Sequence, residues 1–211
     1  MATRRAVLKS ISLVPAALAL RGMPALGAPS PSRISLVIGN SAYPLSPLTN
    51  PANDASAMRE LLASAGFSVE AHLDAKRIDL LAAIDRFTAA AQEPQTRLAV
   101  FYYAGHGVQL DWRNYLLPVD IAVRSANDVK HQCVDLGILL GRLAQIRDKN
   151  FVIILDACRD DPFKGAFRPE QKGLSQFDAP VGSLIAYATS PGSVASDGTG
   201  RNGLYTENLV R

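Results

Sequence analysis

From about residue 33 onward, short apolar runs alternate with amphipathic stretches along the chain. Residues 34–38 read as a buried strand ending at Gly39, followed by a polar, proline-bearing loop to Asn53. The spacing predicts a helix over 54–65, with Met58, Leu61, Leu62 and Ala65 on one face and Gly66 as its stop. A strand over 67–73 and a helix over 79–91 follow, the latter turning Leu80, Leu81, Ile84, Phe87 and Ala91 inward. Residues 98–103 form a third strand, and 115–119, after the polar Asp111-Trp112-Arg113-Asn114, read as one arm of a hairpin. A helix is predicted over 133–146, opened by Cys133, with Leu136, Leu139, Leu140 and Leu143 inward. Residues 151–155 are the most continuous apolar strand, and 184–188 form another.

Strands that alternate with helices make βαβ units. The expected fold class is therefore α/β, a doubly wound, mostly parallel sheet with helices on both faces. Such sheets carry their sites at the carboxyl ends of the strands, which directs attention to the residues after Tyr103, Leu155 and Ala188.

Charge separates the N-terminus from the rest. The first 28 residues hold Arg4, Arg5, Lys9 and Arg21 and no acid, leaving 18 of the 22 basic residues against all 19 acidic ones, a net charge of about −1. The sequence pI near 9.0 thus describes the leader rather than the body, and no basic patch calls for nucleic acid. A basic start, an uncharged stretch over 10–20 and a small-residue segment over 23–32 form an export signal with a cleavage zone near residues 25–28. The apolar run is too short to span a bilayer comfortably, so no stable membrane span is expected after signal removal. The paired arginines followed by Leu8-Lys9 resemble a bacterial twin-arginine signal, which places the protein in the periplasm or outside the cell. Residues 1–32 are accordingly read as export signal and linker, and 33–211 as one domain.

Two chemistry-bearing motifs fall at strand tips. Tyr102-Tyr103-Ala104-Gly105-His106-Gly107 follows the third strand, and Asp156-Ala157-Cys158-Arg159 follows the strand over 151–155. A cysteine reacts as its thiolate and needs an imidazole nearby at neutral pH; a histidine can then protonate the leaving amine. Cys133 reads as a core residue, His72 and His131 as surface residues, and Trp112 as hairpin packing. Two cysteines are too few for a disulfide framework, and no pair has metal-ligand spacing.

The arrangement resembles the caspases, which place a histidine roughly 50 residues ahead of an Ala-Cys-Arg signature; here the interval from His106 to Cys158 is 52. It is more similar still to the metacaspases and paracaspases, which share the tyrosine-rich strand, Gly-His-Gly, Asp-x-Cys and an Asn-Asp-Ala after the first strand, here Asn53-Asp54-Ala55. The resemblance implies a caspase-like peptidase domain and hydrolysis of peptide bonds through a Cys158–His106 dyad, with backbone amides of Gly107 and Cys158 as the oxyanion hole. It further implies a pocket for the residue before the scissile bond. Caspases carry a glutamine where Asp156 stands and a basic residue near Asp54, and Asp197 matches an acidic paracaspase position. Carboxylates there would hold Arg or Lys and repel Asp. The expected partners are therefore proteins or peptides with Arg or Lys before the cleaved bond.

Many metacaspases bind calcium through an acidic cluster. The spacing of Asp120, Asp128, Asp135, Asp160 and Asp161 does not match that cluster, so no cofactor is expected. The stretch over 203–209 resembles the start of the family's last helix, which leads to a strand that often forms a dimer edge. On that reading the C-terminal part is incomplete and a homodimer is open. The competing readings are a catalytically silent caspase-like regulatory or binding module and a different thiol-dependent hydrolase or transferase on a doubly wound sheet.

Overall fold

Strands joined through helices can lie parallel, and five of them do so here. In the computed structural model, which describes residues 32–157, 162–163, 165, 167, 174–175, 178–188 and 200–211, the order of elements is β1 (Ser32–Gly39), α1 (Pro51–Ser64), β2 (Ser68–Leu73), α2 (Arg77–Gln92), β3 (Thr96–Gly105), β4 (Gly107–Leu110), β5 (Arg113–Leu116), α3 (Ala126–Gln132), β6 (Val134–Asp135), α4 (Leu136–Leu143), β7 (Asn150–Ala157), β8 (Ser183–Tyr187) and α5 (Leu204–Leu209). The main sheet runs β2-β1-β3-β7-β8, all parallel. A small antiparallel sheet, β4-β5-β6, stands beside it.

The two-residue period of a strand sorts side chains to opposite faces. Leu36, Ile38, Phe101, Tyr103, Ile153 and Leu155 pack against Leu80, Ile84 and Phe87 of α2 and Leu136, Leu139 and Leu143 of α4. Val37, Val100, Tyr102, Ala104 and Ile154 meet Ala55, Met58 and Leu62 of α1, with Tyr205 of α5 alongside. The central strands are buried on both faces, which is why they read as unbroken apolar runs. Each large aliphatic or aromatic side chain placed there contributes about 1.5–3 kcal/mol relative to exposure. The doubly wound expectation is met. A third cluster, with Tyr43, Val108, Tyr115, Leu117, Val129 and Cys133, lies under the small sheet.

Local elements depart from the periodicity in instructive ways. The helix expected over 133–146 is shorter, Leu136–Leu143, because residues 134–135 form a strand, and a separate short helix, α3, precedes it. Ser125 caps α3 by accepting from Asp128 N (3.2 Å), and α3 ends at Cys133, whose backbone is extended. Val134 and Asp135 then pair with β5, and the Asp135 carboxylate caps α4 by accepting from Gly137 N (2.8 Å). Two good capping side chains outweigh a continuous helical register. α1 starts at Pro51, a residue that suits a first helical turn. Its buried stripe is narrow, following Ala55, Met58 and Leu62, so Leu61 and Ala65 fall beside it and are exposed. Trp112 does not pack: Asp111 and Trp112 both have positive φ (50° and 60°), the signature of a tight two-residue hairpin turn, and that turn lifts the indole to 75 % exposure.

Candidate active site

β3 and β7 are neighbours in register, Gly105 opposite Ala157 and Ala104 opposite Asp156. His106 follows directly on Gly105. It is 1 % exposed, and its position is set by groups of the loop after β1, of β3 and of the segment after β5. Nε2 donates to the Ser46 carbonyl (2.8 Å) in the loop after β1. A carbonyl only accepts, so Nε2 carries a proton in both charge states and Nδ1 is the nitrogen whose proton comes and goes. The Tyr43 ring lies 4.5 Å from the imidazole, tilted by 56°.

The same tyrosine reaches the backbone. Leu117 N donates to His106 O (3.1 Å), and a regular antiparallel ladder would return the bond from His106 N to Leu117 O. Instead the Tyr43 hydroxyl sits between them, accepting from His106 N (3.0 Å) and approaching Leu117 O (3.0 Å). Tyr103 closes the other side by donating to His106 O (2.8 Å), with its own oxygen 3.2 Å from that of Tyr43. Burial pushes the pKa of both phenols up, so both stay neutral hydroxyls. Gly105 is required here: a Cβ would stand 2.7 Å from the Tyr43 oxygen and 2.9 Å from that of Tyr103.

Gly107 opens β4. With Leu117 N bonded to His106 O, Gly107 and Leu116 form a non-hydrogen-bonded ladder pair, and the Gly107 N–H points away from β5. The Gly107 backbone lies close to the β7 tip, since a Cβ on it would be 3.2 Å from Ala157 Cβ and 3.0 Å from Leu174 Cδ2. Cys158, next after Ala157, lies outside the described residues, as does Asp197.

A second buried corner holds the other two expected residues. Asp54 (0 % exposed) stands in the first turn of α1 and Asp156 (1 %) near the end of β7. A Cβ at Gly203 would lie 3.1 Å from Asp54 Oδ2 and 3.4 Å from Asp156 Oδ2, so both carboxylates converge on that glycine. Asp54 Oδ1 accepts from Asn202 Nδ2 and from Gly203 N, each at 2.9 Å. Asn53 donates to Arg201 O (3.0 Å). The Asn53-Asp54 pair thus grips residues 201–203, across the chain from its own helix. Asp156 Oδ2 accepts from the Thr206 hydroxyl (3.0 Å), and Thr206 in turn accepts from Tyr102 OH (2.6 Å). Burial first, and then the Asp156 charge, raises the Tyr205 hydroxyl pKa.

The remaining candidates sit elsewhere. Cys133 is 2 % exposed, and desolvation pushes its thiol up to about 12, the opposite of what a nucleophile needs. His72 is half-buried against Glu70 (2.7 Å). Asp120 accepts from Arg77 N, Asp128 from Arg124 N, and Asp135 pairs with Arg113; among the described residues no three His, Cys, Asp or Glu side chains gather as a metal site. Asp160 and Asp161 lie outside the described residues. A groove of about 460 Å³ between the β4–β5 hairpin and α3–α4 is lined by Asp111, Arg113, Tyr115, Lys130, Asp135 and Ile138. Its charges are already paired, Lys130 with Asp111 (2.6 Å) and Arg113 with Asp135 (2.9 Å). No helix among the described residues is long and apolar enough to cross a membrane.

Sequence reasoning missed Ser46, Tyr43, Asn202 and Thr206. A carbonyl has no residue signature, and a tyrosine in a proline-bearing loop signals packing as readily as positioning. A search of curated proteins returned no match. The model of one family, the caspase domain, matches residues 32–211, the stretch that begins with β1 and includes every element described above. With that match over most of its length, the chain belongs to the caspase-domain family of cysteine peptidases.

Proposed function

We propose that the protein is a cysteine endopeptidase that cleaves after Arg or Lys, with Cys158 as nucleophile and His106 as its acid–base partner. The reading rests above all on the register of Gly105 with Ala157, because His106 and Cys158 come next in sequence after the ends of those two adjacent strands. The Cys158 thiolate attacks the scissile carbonyl carbon, and the carbonyl oxygen becomes an oxyanion facing the amides of Gly107 and Cys158. The protonated imidazole gives its Nδ1 proton to the leaving amine, the C–N bond breaks, and a thioester remains. Water, deprotonated by the same nitrogen, attacks the thioester; the C–S bond breaks, the acid product leaves and the thiolate beside the protonated imidazole is restored. Asp54 and Asp156, with Asp197 as a third wall, receive the cationic side chain before the scissile bond.

A peptidyl-arginine affinity probe with an electrophilic end tests this directly. Peptide mapping should find the label on Cys158, with an Arg-ending reporter hydrolysed and an Asp-ending one untouched. Efficient hydrolysis of the Asp reporter alone would refute the pocket; neither label nor hydrolysis would leave a silent module on the same fold.

Export through the twin-arginine route belongs to the same proposal, on the strength of Arg4-Arg5 ahead of an uncharged stretch. Replacing both with lysine should hold precursor in the cytoplasm, and unchanged delivery would rule that route out.

A further inference from the structure

Resting on the basic-residue reading just proposed, we infer that the corner formed by Asn202, Gly203 and Thr206 is a specificity determinant of the same pocket, with Thr206 as the positioning residue for Asp156.

The chemistry is in the proton inventory. An ionised carboxylate only accepts, so the Thr206 hydroxyl donates to Asp156 Oδ2 and the Tyr102 hydroxyl must donate to Thr206. The direction of both bonds is thereby fixed, and Asp156 is pinned through a fully buried threonine to a fully buried strand tyrosine. Asp54 is held likewise by donors, an amide side chain and a backbone N–H. These are neutral donors. They favour the ionised form of each acid, which is the form that a cationic guest would meet.

Gly203 sets the room available. Asp54 Oδ2 and Asp156 Oδ2 approach the same point above its Cα, and a methyl there would crowd Asp54 Oδ2 and touch Asp156 Oδ2. A guanidinium bridging the two carboxylates spreads over more of that space than a single ammonium does. The glycine therefore bears on Arg more than on Lys. Asn53, which holds Arg201 O, ties this corner to the first turn of α1, so the Asn53-Asp54 pair both builds and orients the pocket.

The test is steady-state kinetics of the full chain on matched Arg- and Lys-ending reporters. Thr206→Val keeps the shape and removes the hydroxyl. It should raise KM by about tenfold or more, the scale of losing a hydrogen bond to a charged group, with kcat changed much less. Thr206→Ser should restore KM to within about threefold, because the hydroxyl returns. Gly203→Ala should lower kcat/KM for the Arg reporter severalfold more than for the Lys reporter. If the wild type cleaves after Arg or Lys and both Thr206→Val and Gly203→Ala keep wild-type KM and Arg/Lys preference, this inference is wrong while the basic-residue reading stands. If the wild type prefers a neutral or acidic residue, that reading falls and this inference falls with it.

Discussion

The two buried corners at the carboxyl end of the sheet are built from opposite kinds of partner. His106 is met at its ring by an acceptor, the Ser46 carbonyl, and at its backbone by neutral phenols. Asp54 and Asp156 are met by donors: Asn202 Nδ2, Gly203 N and the Thr206 hydroxyl. An imidazole that must take up a positive charge needs acceptors that never lose their lone pairs. Carboxylates that must stay negative need donors that never compete for a cation. On the proposed reading, the contrast separates a corner that would move a proton from one that would hold a charge, and partner type is a better guide to that division than burial, which is nearly complete in both.

Deleting the reacting groups should have the largest effect. Cys158→Ala or His106→Ala should lower kcat/KM by about 10³-fold or more, and the double variant should be no worse than either single one, because the pair acts as a unit. Cys133→Ala should retain activity. An inactive Cys133→Ala beside an active Cys158→Ala would reverse the assignment.

Neutralising the charge-holding corner should come next. Asp156→Asn and Asp54→Asn keep shape and some hydrogen bonding, so each should cost about 10- to 100-fold on the Arg reporter while sparing kcat relatively. Equal losses on a reporter with a neutral residue at that position would show that the acids only hold α5 in place.

Tyr43 sharpens the other side of the comparison. Tyr43→Phe keeps the ring beside the imidazole but removes the hydroxyl bridging His106 N and Leu117 O. Removing that bridge should lower kcat by about tenfold through misplacement of the imidazole, with KM held. A change confined to KM would contradict a positioning role at the proton-moving corner.

The smallest effect concerns Cys133, whose folded-state pKa is raised from 9.0 to about 12 by desolvation. A raised acid pKa means the folded state favours the neutral thiol. The stability difference between wild type and Cys133→Ala should therefore be constant below about pH 9 and shrink as pH rises toward 12, read from denaturant unfolding at each pH. Native alkylation at neutral pH should spare Cys133. Its ready labelling in folded protein would show a looser core than the one described.

Much of the fold is written in the chain as period and punctuation. Residues 34–38, 98–103 and 151–155 are apolar without interruption because a parallel sheet covered by helices buries both faces, and glycines or polar loops mark where each strand stops. The Gly-His-Gly and Asp-x-Cys motifs announce their chemistry in residue type and flanking glycine alone. What period could not decide was competition between local caps and strand pairing, so the helix expected over 133–146 starts only at Leu136, where Asp135 claims the Gly137 amide after Val134 and Asp135 pair with β5. Nor could it say where an acid points. Asp54 stands in the first turn of α1, yet it binds Asn202 and Gly203 almost 150 residues away. The sequence by itself determined the sheet, its core and the two reactive motifs, because these follow from side-chain type repeated at a short period. Only the tertiary structure decided which hydroxyl bridges the ladder at His106 and which donors hold the two carboxylates, because such bonds depend on directions and distances that close only when remote segments pack.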